Sequence, residues 1–273
     1  MKFLTFILLT SIFVSCASKN EVSQKEKNAK KADIYYGQGS NELLRGEYTQ
    51  ALKHLIQANT LKQDDANILN NLGMAYYFKG KTGRAIRYIK RSLELDKKNT
   101  KARLNLATIY TGLKKYEDAR QQYEVVLEDL TYEAQYKTYY NLGLLYYNLN
   151  QKSKALSYFK QSLNEKKDFC GSHFYIGQIN YEQGHFKKAL KSYLSSGYGM
   201  CYNNPKPIYH QALSYIKLKQ YDNARLKLEE ILDRFKNTDF QQKAEKQIQT
   251  LNSLQQQEIY PEIDTRNILS PSF

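Results

Sequence analysis

Apolar residues follow a helical period along most of the chain, and the pattern repeats at intervals of about 34 residues. Residues 68–99 read ILNNLGMAYYFKGKTGRAIRYIKRSLELDKKN, and residues 138–169 read TYYNLGLLYYNLNQKSKALSYFKQSLNEKKDF. In each segment a short polar break separates two apolar runs with helical spacing, as between Tyr76 and Ile86. The pattern therefore predicts pairs of antiparallel helices joined by short turns.

Small residues at two positions of each repeat set its phase. The twentieth position is alanine throughout: Ala51, Ala85, Ala119, Ala155, Ala189 and Ala224. The eighth position is also small: Gly39, Gly73, Ala107, Gly143, Gly177 and Ala212. Small side chains at these positions allow the two helices of a hairpin to approach closely. Glycine at position fifteen is expected to end the first helix in three repeats, at Gly46, Gly80 and Gly184.

This spacing resembles the tetratricopeptide repeat, a helical hairpin. The resemblance implies an all-α fold, in which six hairpins stack as a right-handed superhelical solenoid and the first helices line a concave groove. The repeats are expected to start near Ala32, Ala66, Thr100, Tyr136, Cys170 and Pro205. We predict six repeats over residues 32–238, a capping helix over residues 239–257 and an irregular tail over residues 258–273.

The first residues of the chain have the character of a secretory signal. Residues 1–15 carry one charge, Lys2, and an apolar run shorter than the roughly 20 residues that span a bilayer. Ser15 before Cys16 resembles the lipobox of bacterial lipoproteins, although Phe13 replaces the usual leucine. We therefore predict a lipoprotein signal peptide over residues 1–15, cut before a lipidated Cys16. The alternative is an ordinary signal peptide cut nearby.

Acyl chains on Cys16 would fix the protein to a membrane, since two or three chains hold firmly whereas one binds only marginally. The lipoprotein resemblance also bears on Ala17, because a residue other than aspartate after the cysteine is typical of lipoproteins sorted to the outer membrane. Residues 16–31 are polar without an apolar period, which predicts a lipidated cysteine followed by a flexible tether. The expected location is the bacterial outer membrane, on its periplasmic face.

Composition narrows the class of partner. The chain has 273 residues, a formal net charge of +14 that is spread along its length, and 25 tyrosines. Because an exported protein rarely meets DNA, we expect no nucleic-acid partner and favour an acidic protein or an anionic envelope surface. No later apolar run approaches 18 residues, so no second membrane segment is predicted.

Residues with catalytic potential form no recognisable constellation in the sequence. The four histidines occupy unrelated repeat positions, at His54, His173, His185 and His210. HExxH, GxSxG and phosphate-binding glycine loops are absent from the sequence. We therefore predict a binding protein without enzymatic activity, cofactor, metal or small-molecule substrate.

Cys170 and Cys201 remain once Cys16 is assigned to lipid, and they form an even pair in an oxidising compartment. They occupy positions one and thirty-two of the fifth repeat, which lie at the same end of an antiparallel hairpin. A disulfide is feasible if their Cα atoms come within about 7 Å. We favour the bridge over the alternative of two separate buried thiols.

The groove is the candidate binding site. Position six of three successive first helices is asparagine, a residue able to hold the backbone amides of an extended peptide. Aromatic residues at positions five and twelve supply anchors, and lysines at position two supply charge. The candidate residues are Asn71, Tyr77, Lys101, Asn105, Lys137, Tyr140, Asn141, Tyr147, Phe174 and Tyr181. Asparagine and tyrosine at these positions also serve hairpin packing, and surface lysines are commonly only solvated, so a purely structural role is the alternative.

A more particular resemblance lies in residues 127–163, LEDLTYEAQYKTYYNLGLLYYNLNQKSKALSYFKQSL. The lengthened lead-in before Tyr136 and the NLGLLYY that follows resemble the type IV pilus pilotin lipoproteins. These are lipid-anchored, six-repeat outer-membrane proteins that help the secretin reach that membrane and assemble. The resemblance implies that Cys16 carries the acyl chains and that early repeats contact a secretin subunit through Asn71, Tyr77, Asn105 and Asn141. The long tail after Thr238 departs from that family.

Three other functions stay open at this point. The chain fits another outer-membrane repeat lipoprotein, one that assists β-barrel assembly or docks cell-wall enzymes. It also fits a regulatory subunit of an enzyme. A peptide-binding module for acidic tails is the third, with Lys101 and Lys137 as the residues that would attract them.

Overall fold

A computed structural model of the protein describes residues 3–259, with side chains described for residues 24–199 and 201–256. Over residues 3–259 the secondary structure consists of thirteen α-helices and one 3-10 turn, without a strand. The chain divides into two compact units, Met1–Glu133 and Ala134–Phe273. The all-α tetratricopeptide-repeat fold class is confirmed.

The first unit contains three helical hairpins. Its helices are α1 (Phe3–Arg45), α2 (Tyr48–Leu61), α3 (Ala66–Phe78), α4 (Thr82–Leu95), α5 (Thr100–Gly112) and α6 (Tyr116–Leu127). Asp65 and Asn99 cap α3 and α5 by accepting hydrogen bonds from backbone N–H groups of the first turn. The capped starts of α3 and α5 lie at the predicted repeat starts.

The second unit contains three further hairpins and a final helix. Its helices are α7 (Gln135–Asn148), α8 (Lys152–Glu165), α9 (Cys170–Glu182), α10 (Phe186–Ser196), α11 (Pro205–Lys217), α12 (Tyr221–Arg234) and α13 (Asp239–Ile259). The 3-10 turn, Gly199–Cys201, lies between α10 and α11. Asn204 caps α11, and Pro205 occupies its first position, where a missing N–H costs nothing.

Close helix packing follows the predicted phase. All six alanines at position twenty are fully buried, with 0% of their surface exposed. In four repeats, position eight is a glycine that faces a large side chain of the second helix. The four pairs are Gly39 with Leu55, Gly73 with Ile89, Gly143 with Phe159, and Gly177 with Tyr193. The small residues therefore set the distance between the two helices of each hairpin.

Turns between the two helices of each hairpin use the left-handed backbone region at position fifteen. Gly46, Gly80 and Gly184 have φ angles of 79°, 72° and 78°. The other three repeats place Lys114, Asn150 and Lys219 there, with φ angles of 59°, 57° and 58°. Glycine adopts this region without steric cost, which explains its use in half of the repeats.

The N-terminal helix differs from the prediction. We expect a flexible tether over residues 16–31, whereas α1 is continuous from Phe3 to Arg45. Lysine, glutamate, glutamine and alanine favour helix, and extending a helix that is already nucleated costs little. The signal peptide and the lipidated Cys16 lie outside the described side chains, and both stay predictions. None of the described helices combines the length and the apolar character needed to cross a bilayer.

The final helix packs on the last hairpin. Ala244 of α13 is fully buried in a cluster with Ile208, Ala212 and Leu228, and Ile248 packs against the same cluster. This helix occupies the segment 239–257 that we predict as a cap. The predicted irregular tail falls on residues 258–273, of which 260–273 lie outside the described residues.

Candidate protein-binding site

The first helices of the N-terminal unit are linked by side-chain amides. Asn105 of α5 donates through Nδ2 to Oδ1 of Asn70 at 2.9 Å. Asn70 donates to Asn71 at 3.1 Å, and Asn71 donates to the hydroxyl of Ser40 on α1 at 2.8 Å. Each carboxamide has two N–H donors and an oxygen with two lone pairs. Asn71 and Asn105 therefore connect neighbouring hairpins and still keep a donor for a further acceptor.

Tyr77 and Lys101 are the remaining predicted site residues in this unit. Tyr77 is half-buried, and its hydroxyl lies so close to α5 that a Cβ atom on Gly112 would come within 2.9 Å of it. Lys101 is exposed at the start of α5. Asparagine, tyrosine and lysine of successive first helices thus contribute to the surface of this unit.

The second unit carries an aromatic cluster on its first helices α7 and α9. Tyr140 packs against Phe159, Phe169 and Tyr175, with ring centroids 5.8, 5.1 and 6.0 Å away. Tyr147 packs edge-on against Tyr175 at 5.4 Å. Burial raises the pKa of Tyr140, and the neighbouring Tyr175 adds to that effect. Its phenol is therefore neutral and able to donate a hydrogen bond.

Glu182 organises a small polar group beside this cluster. Its carboxylate accepts hydrogen bonds from the Tyr147 hydroxyl and from Nε2 of Gln178, and pairs with Lys152 at 2.7 Å. Burial acts to raise the pKa of Glu182, but these three donors outweigh it and leave the pKa below its usual value. A charged carboxylate therefore fixes the orientation of the Tyr147 ring.

The other predicted residues of this unit are placed as follows. Tyr181 is half-buried, with its ring edge-on to Phe186 at 5.3 Å, and burial raises its pKa. Lys137 is exposed, with Nζ 5.8 Å from the Tyr136 ring. Asn141 is half-buried on α7. These side chains lie partly open to solvent, as residues that contact a partner require.

Phe174 is the exception, because only 7% of its surface is exposed. Its ring packs against Tyr193 and His210 at 5.5 and 5.2 Å, and Lys206 lies over it at 4.6 Å. This burial does not support the predicted role of Phe174 as a groove anchor. Position five of the fifth repeat meets the next hairpin and is enclosed by it.

Tyr175 is a surface residue that the sequence prediction missed. It contacts Tyr140, Tyr147 and Phe159 within one cluster, and it is half-buried. It occupies position six, where the second, third and fourth repeats have asparagine. Tyrosine in place of asparagine at this position is the sequence signal that could have identified Tyr175. It indicates an aromatic surface here instead of the chain of side-chain amides found in the first unit.

In the structure the sulfur atoms of Cys170 and Cys201 lie within bonding distance and their Cα atoms lie 6.1 Å apart, so the geometry allows the predicted disulfide. The bond would connect the start of α9 to the 3-10 turn after α10 and so close the end of this hairpin. The spacing lies in the usual range for a disulfide. Over the described residues, no group of three His, Cys, Asp or Glu side chains is placed to bind a metal ion.

Sequence comparison identifies the class of protein that these hairpins define. Profiles of the tetratricopeptide repeat match residues 79–139, 136–169 and 208–238, and a TPR repeat profile matches residues 39–80. The matched segments include the position-twenty alanine of five of the six repeats: Ala51, Ala85, Ala119, Ala155 and Ala224. The chain is a tetratricopeptide-repeat protein.

Individual relatives are distant. The photosystem I assembly protein Ycf3 of Rippkaea orientalis is 29% identical over 130 residues, covering 46% of this chain and 72% of that protein. The type IV pilus assembly protein PilF of Pseudomonas aeruginosa is 22% identical over 192 residues, covering 70% of this chain and 76% of that protein. Both of these relatives are named as assembly proteins.

Solved structures of the same fold include two pilus proteins. Pseudomonas aeruginosa pilF aligns with a TM-score of 0.66 at 19% identity, covering 81% of this chain and 99% of that chain. PilW, a widely conserved type IV pilus biogenesis factor, aligns with a TM-score of 0.67 at 14% identity, covering 78% and 97% of the two chains. The chain is thus related, at low identity, to type IV pilus biogenesis proteins built from the same repeat.

Proposed function

We propose that the protein is an adaptor that binds a segment of a partner protein on the exposed faces of its first helices. The observation that carries this proposal is the chain of hydrogen bonds from Asn105 to Ser40. These bonds hold the side-chain amides of Asn71 and Asn105 in fixed orientations, and each amide keeps a second N–H group that can donate to a partner. Oriented amides suit the backbone of an extended segment, whose carbonyl groups recur at regular intervals. Binding alone, without reaction chemistry, is sufficient for this function.

The half-buried tyrosines supply the second part of the argument. Tyr140, Tyr147 and Tyr181 are held by neighbouring rings, so little side-chain entropy is lost when a partner covers them. Exposed Lys101 adds positive charge to the surface of the first unit, and exposed Lys137 adds it to that of the second. We therefore infer a partner segment with apolar anchors and some acidic character.

The particular role that we propose is that of a pilotin, with a secretin subunit of a type IV pilus system as the partner. The support comes from the pilotin-like residues 127–163 and from the named role of PilF, a type IV pilus assembly protein. Lipidation of Cys16 would anchor the adaptor in the outer membrane and carry the bound subunit there. Another envelope assembly role without a secretin is the competing function.

Photo-crosslinking tests the adaptor function in intact cells. Benzoylphenylalanine would replace Tyr77 in one strain and Tyr181 in another, and Tyr198 in a control strain. Tyr198 is a matched control because it is a tyrosine with 70% of its surface exposed that lies on the turn before α11. We expect an adduct containing a secretin subunit from Tyr77 or Tyr181 and none from Tyr198. Equal adducts from all three positions would contradict a defined binding face.

A genetic test separates the pilotin role from the wider adaptor function. Deletion of the gene should abolish secretin multimers in the outer membrane, and Cys16→Ala should move the protein from the membrane to the soluble fraction. If multimers persist after deletion while crosslinking still captures another envelope protein, the adaptor function stands and the pilotin role is excluded. Unchanged membrane retention of Cys16→Ala would exclude the lipid anchor.

A further inference from the structure

A second candidate site lies on the second hairpin, between α3 and α4. It is a cavity of about 470 Å³ lined by Leu69, Tyr76, Arg84, Arg87, Tyr88 and Arg91. This volume is in the range of ligand-binding clefts. Neither Asn71 nor Tyr77 lines the cavity, so it is separate from the face used in the proposed function.

Two stacked tyrosines form the floor of this cavity. The rings of Tyr76 and Tyr88 are nearly parallel, with centroids 5.3 Å apart and an interplanar angle of 6°. Only 8% of Tyr76 is exposed, and Tyr88 is half-buried. The fourth repeat has the same stack, between Tyr146 and Tyr158 at 5.3 Å and 5°. The stack is therefore a packing feature that the repeats share.

The three arginines that line the cavity, Arg84, Arg87 and Arg91, have no counterparts in the other repeats with this stack or next to it. They lie on one face of α4 at spacings of three and four residues, so the row is about 10 Å long. The corresponding positions of the fourth repeat are Lys154, Ser157 and Gln161, and those of the third repeat are Asp118, Gln121 and Val125. Packing of the hairpin therefore does not require arginine, and the second repeat alone combines the stack with three guanidinium groups.

Two of these arginines are available to a ligand. Arg91 pairs with Asp64 at 3.0 Å and with Glu94 at 3.1 Å. Arg84 lies over the Tyr76 ring at 5.6 Å, and Arg87 is exposed. Among the side chains that the structure describes, no carboxylate forms a salt bridge with Arg84 or Arg87. The cavity thus presents two uncompensated positive charges above an aromatic floor.

We propose that this cavity binds an acidic segment of a partner protein, with carboxylates that accept paired hydrogen bonds from Arg84 and Arg87. A guanidinium group matches a carboxylate through two parallel hydrogen bonds, and the tyrosine rings accommodate the apolar part of the segment. Arg84 and Arg87 are three residues apart on α4, which places their Cβ atoms about 5 to 6 Å apart. Long arginine side chains on this spacing reach carboxylates on alternate residues of an extended segment, which lie about 7 Å apart. A bilayer surface is flat over such a distance, whereas these arginines line a concavity.

Fluorescence anisotropy on the purified full chain, in non-ionic detergent at near-physiological salt, tests this site. The probe is a fluorescein-labelled peptide of alternating glutamate and serine, and its glutamine analogue measures uncharged binding. Because the whole protein is basic, the control must remove equal charge elsewhere. The site variant is Arg84→Gln/Arg87→Gln, and the matched control is Lys187→Gln/Lys188→Gln, which changes two exposed lysines of α10.

We expect the site variant to bind the glutamate peptide at least tenfold more weakly than the parent, and the control to differ by less than twofold. Arg84→Lys/Arg87→Lys keeps the charge but removes the forked geometry, and it should also lose at least threefold. Equal losses in the site and control variants, or full binding by the lysine variant, would overturn the proposal because either result indicates diffuse charge attraction.

A vesicle experiment covers the other anionic surface that the protein could meet. Vesicles of phosphatidylglycerol and phosphatidylcholine are sedimented with the same variants. If the arginine pair is needed for vesicle binding and not for peptide binding, the cavity is a lipid-headgroup site and the proposal fails. Circular dichroism melting of each variant checks that folding is intact, which the exposure of Arg84 and Arg87 leads us to expect.

Discussion

Gly143 on α7 lies directly against the ring of Phe159 on α8. A Cβ atom placed on Gly143 would come within 2.5 Å of Cε1 and 2.6 Å of Cδ1 of that ring. Phe159 is fully buried, so the ring has little space into which it can move. The pair therefore sets how closely the two helices of the fourth hairpin approach.

Gly143→Ala is expected to destabilise the protein by about 1 to 3 kcal/mol, and Gly143→Leu by more, because overpacking a close contact forces backbone shifts. Urea unfolding followed by circular dichroism measures the change in the free energy of unfolding. A urea unfolding curve for Gly143→Leu that matches that of the parent would contradict the repeat phase on which the fold assignment rests.

A double-mutant cycle identifies the cause of that loss. In the sixth repeat the corresponding pair is Ala212 and Leu228, both fully buried, so a hairpin can place an alanine against a leucine. The third repeat places Ala107 at the same position as Gly143 and Tyr123 at that of Phe159, so the distance between the two helices also matters. Phe159→Leu should therefore recover part of the stability that Gly143→Ala loses, and the two changes should be non-additive. If the two changes in the free energy of unfolding were strictly additive, the loss in Gly143→Ala would not come from contact with the Phe159 ring.

Backbone conformation at position fifteen leads to a second prediction. Gly80 has a φ angle of 72°, and a Cβ atom there would meet nothing within 4 Å. Gly80→Ala should therefore cost about 1 kcal/mol through backbone strain alone. Lys114→Gly, at the same repeat position, should gain up to about 1 kcal/mol, since relief of strain exceeds the entropy that glycine loses.

Gly83 is the matched control for these variants. It lies three residues from Gly80 on α4, its φ angle is negative, and a Cβ atom would again meet nothing within 4 Å. Gly83→Ala should stabilise by up to about 1 kcal/mol through helix propensity, opposite in sign to Gly80→Ala. Chemical denaturation of the three variants in parallel gives the signs, and a stabilising Gly80→Ala would rule out the strain.

The hairpins could be predicted from the sequence because their determinants are local in the repeat. An alanine such as Ala85 is fixed by steric contact within one hairpin, so it marks the phase wherever it occurs. Exposure of a side chain depends instead on what the neighbouring hairpin supplies. Phe174 shows this, because Tyr193 and His210 enclose it although its position suggests a groove anchor.

Parts of the two candidate sites were also beyond sequence prediction. Tyr175 belongs to the candidate site through its contacts with Tyr140 and Tyr147, which the sequence does not show. The spacing of Arg84 and Arg87 on α4 matches no motif, and the tyrosine floor that makes their cavity a site comes from packing between two helices. Helical continuity over residues 16–31 does not follow from the sequence, because polar composition suits both a tether and a helix.

The disulfide leads to a third prediction. Cys170 and Cys201 enclose a loop with a sequence separation of 31 residues. Closing a loop of that size stabilises by about 3 to 4 kcal/mol when chain entropy is the main effect. Cys170→Ala/Cys201→Ala should lower the free energy of unfolding by about this amount, and the parent protein in reductant should approach the same value.

Peptide mass analysis without reduction decides whether the bond forms in cells. A linked peptide containing Cys170 and Cys201 is expected from protein prepared from the envelope, and two free thiols would contradict the bridge. Full parental stability in the double variant would show instead that the bond forms without contributing to the fold.

His210 on α11 leads to a prediction about pH. The ring is enclosed by Phe174 and Tyr193, and Lys206 and Lys243 lie near enough to disfavour a second positive charge. Burial, followed by the two lysines, lowers the pKa of His210 from 6.5 to about 4. Its Nδ1 atom is buried without a hydrogen-bond partner among the described residues.

The sign of the pH effect follows from which state binds the proton. Between about pH 4 and 6.5 the unfolded chain protonates His210 and the folded chain does not, so stability is complete above pH 6.5 and falls as the pH decreases. The linkage relation gives a loss of about 2 kcal/mol at pH 5 and about 3 kcal/mol when the folded pKa is reached.

Urea unfolding of the parent and of His210→Phe at pH 7.5 and pH 5 measures this loss. Carboxylates contribute to acid destabilisation in both proteins, so the difference between their pH dependences isolates His210. We expect the parent to lose about 2 kcal/mol more than the variant between the two pH values. His185→Gln is the control for replacing a histidine elsewhere in the chain, since His185 is exposed at the start of α10. Identical pH profiles for the parent and His210→Phe would mean that the histidine is solvated and that α11 packs less closely on its neighbours.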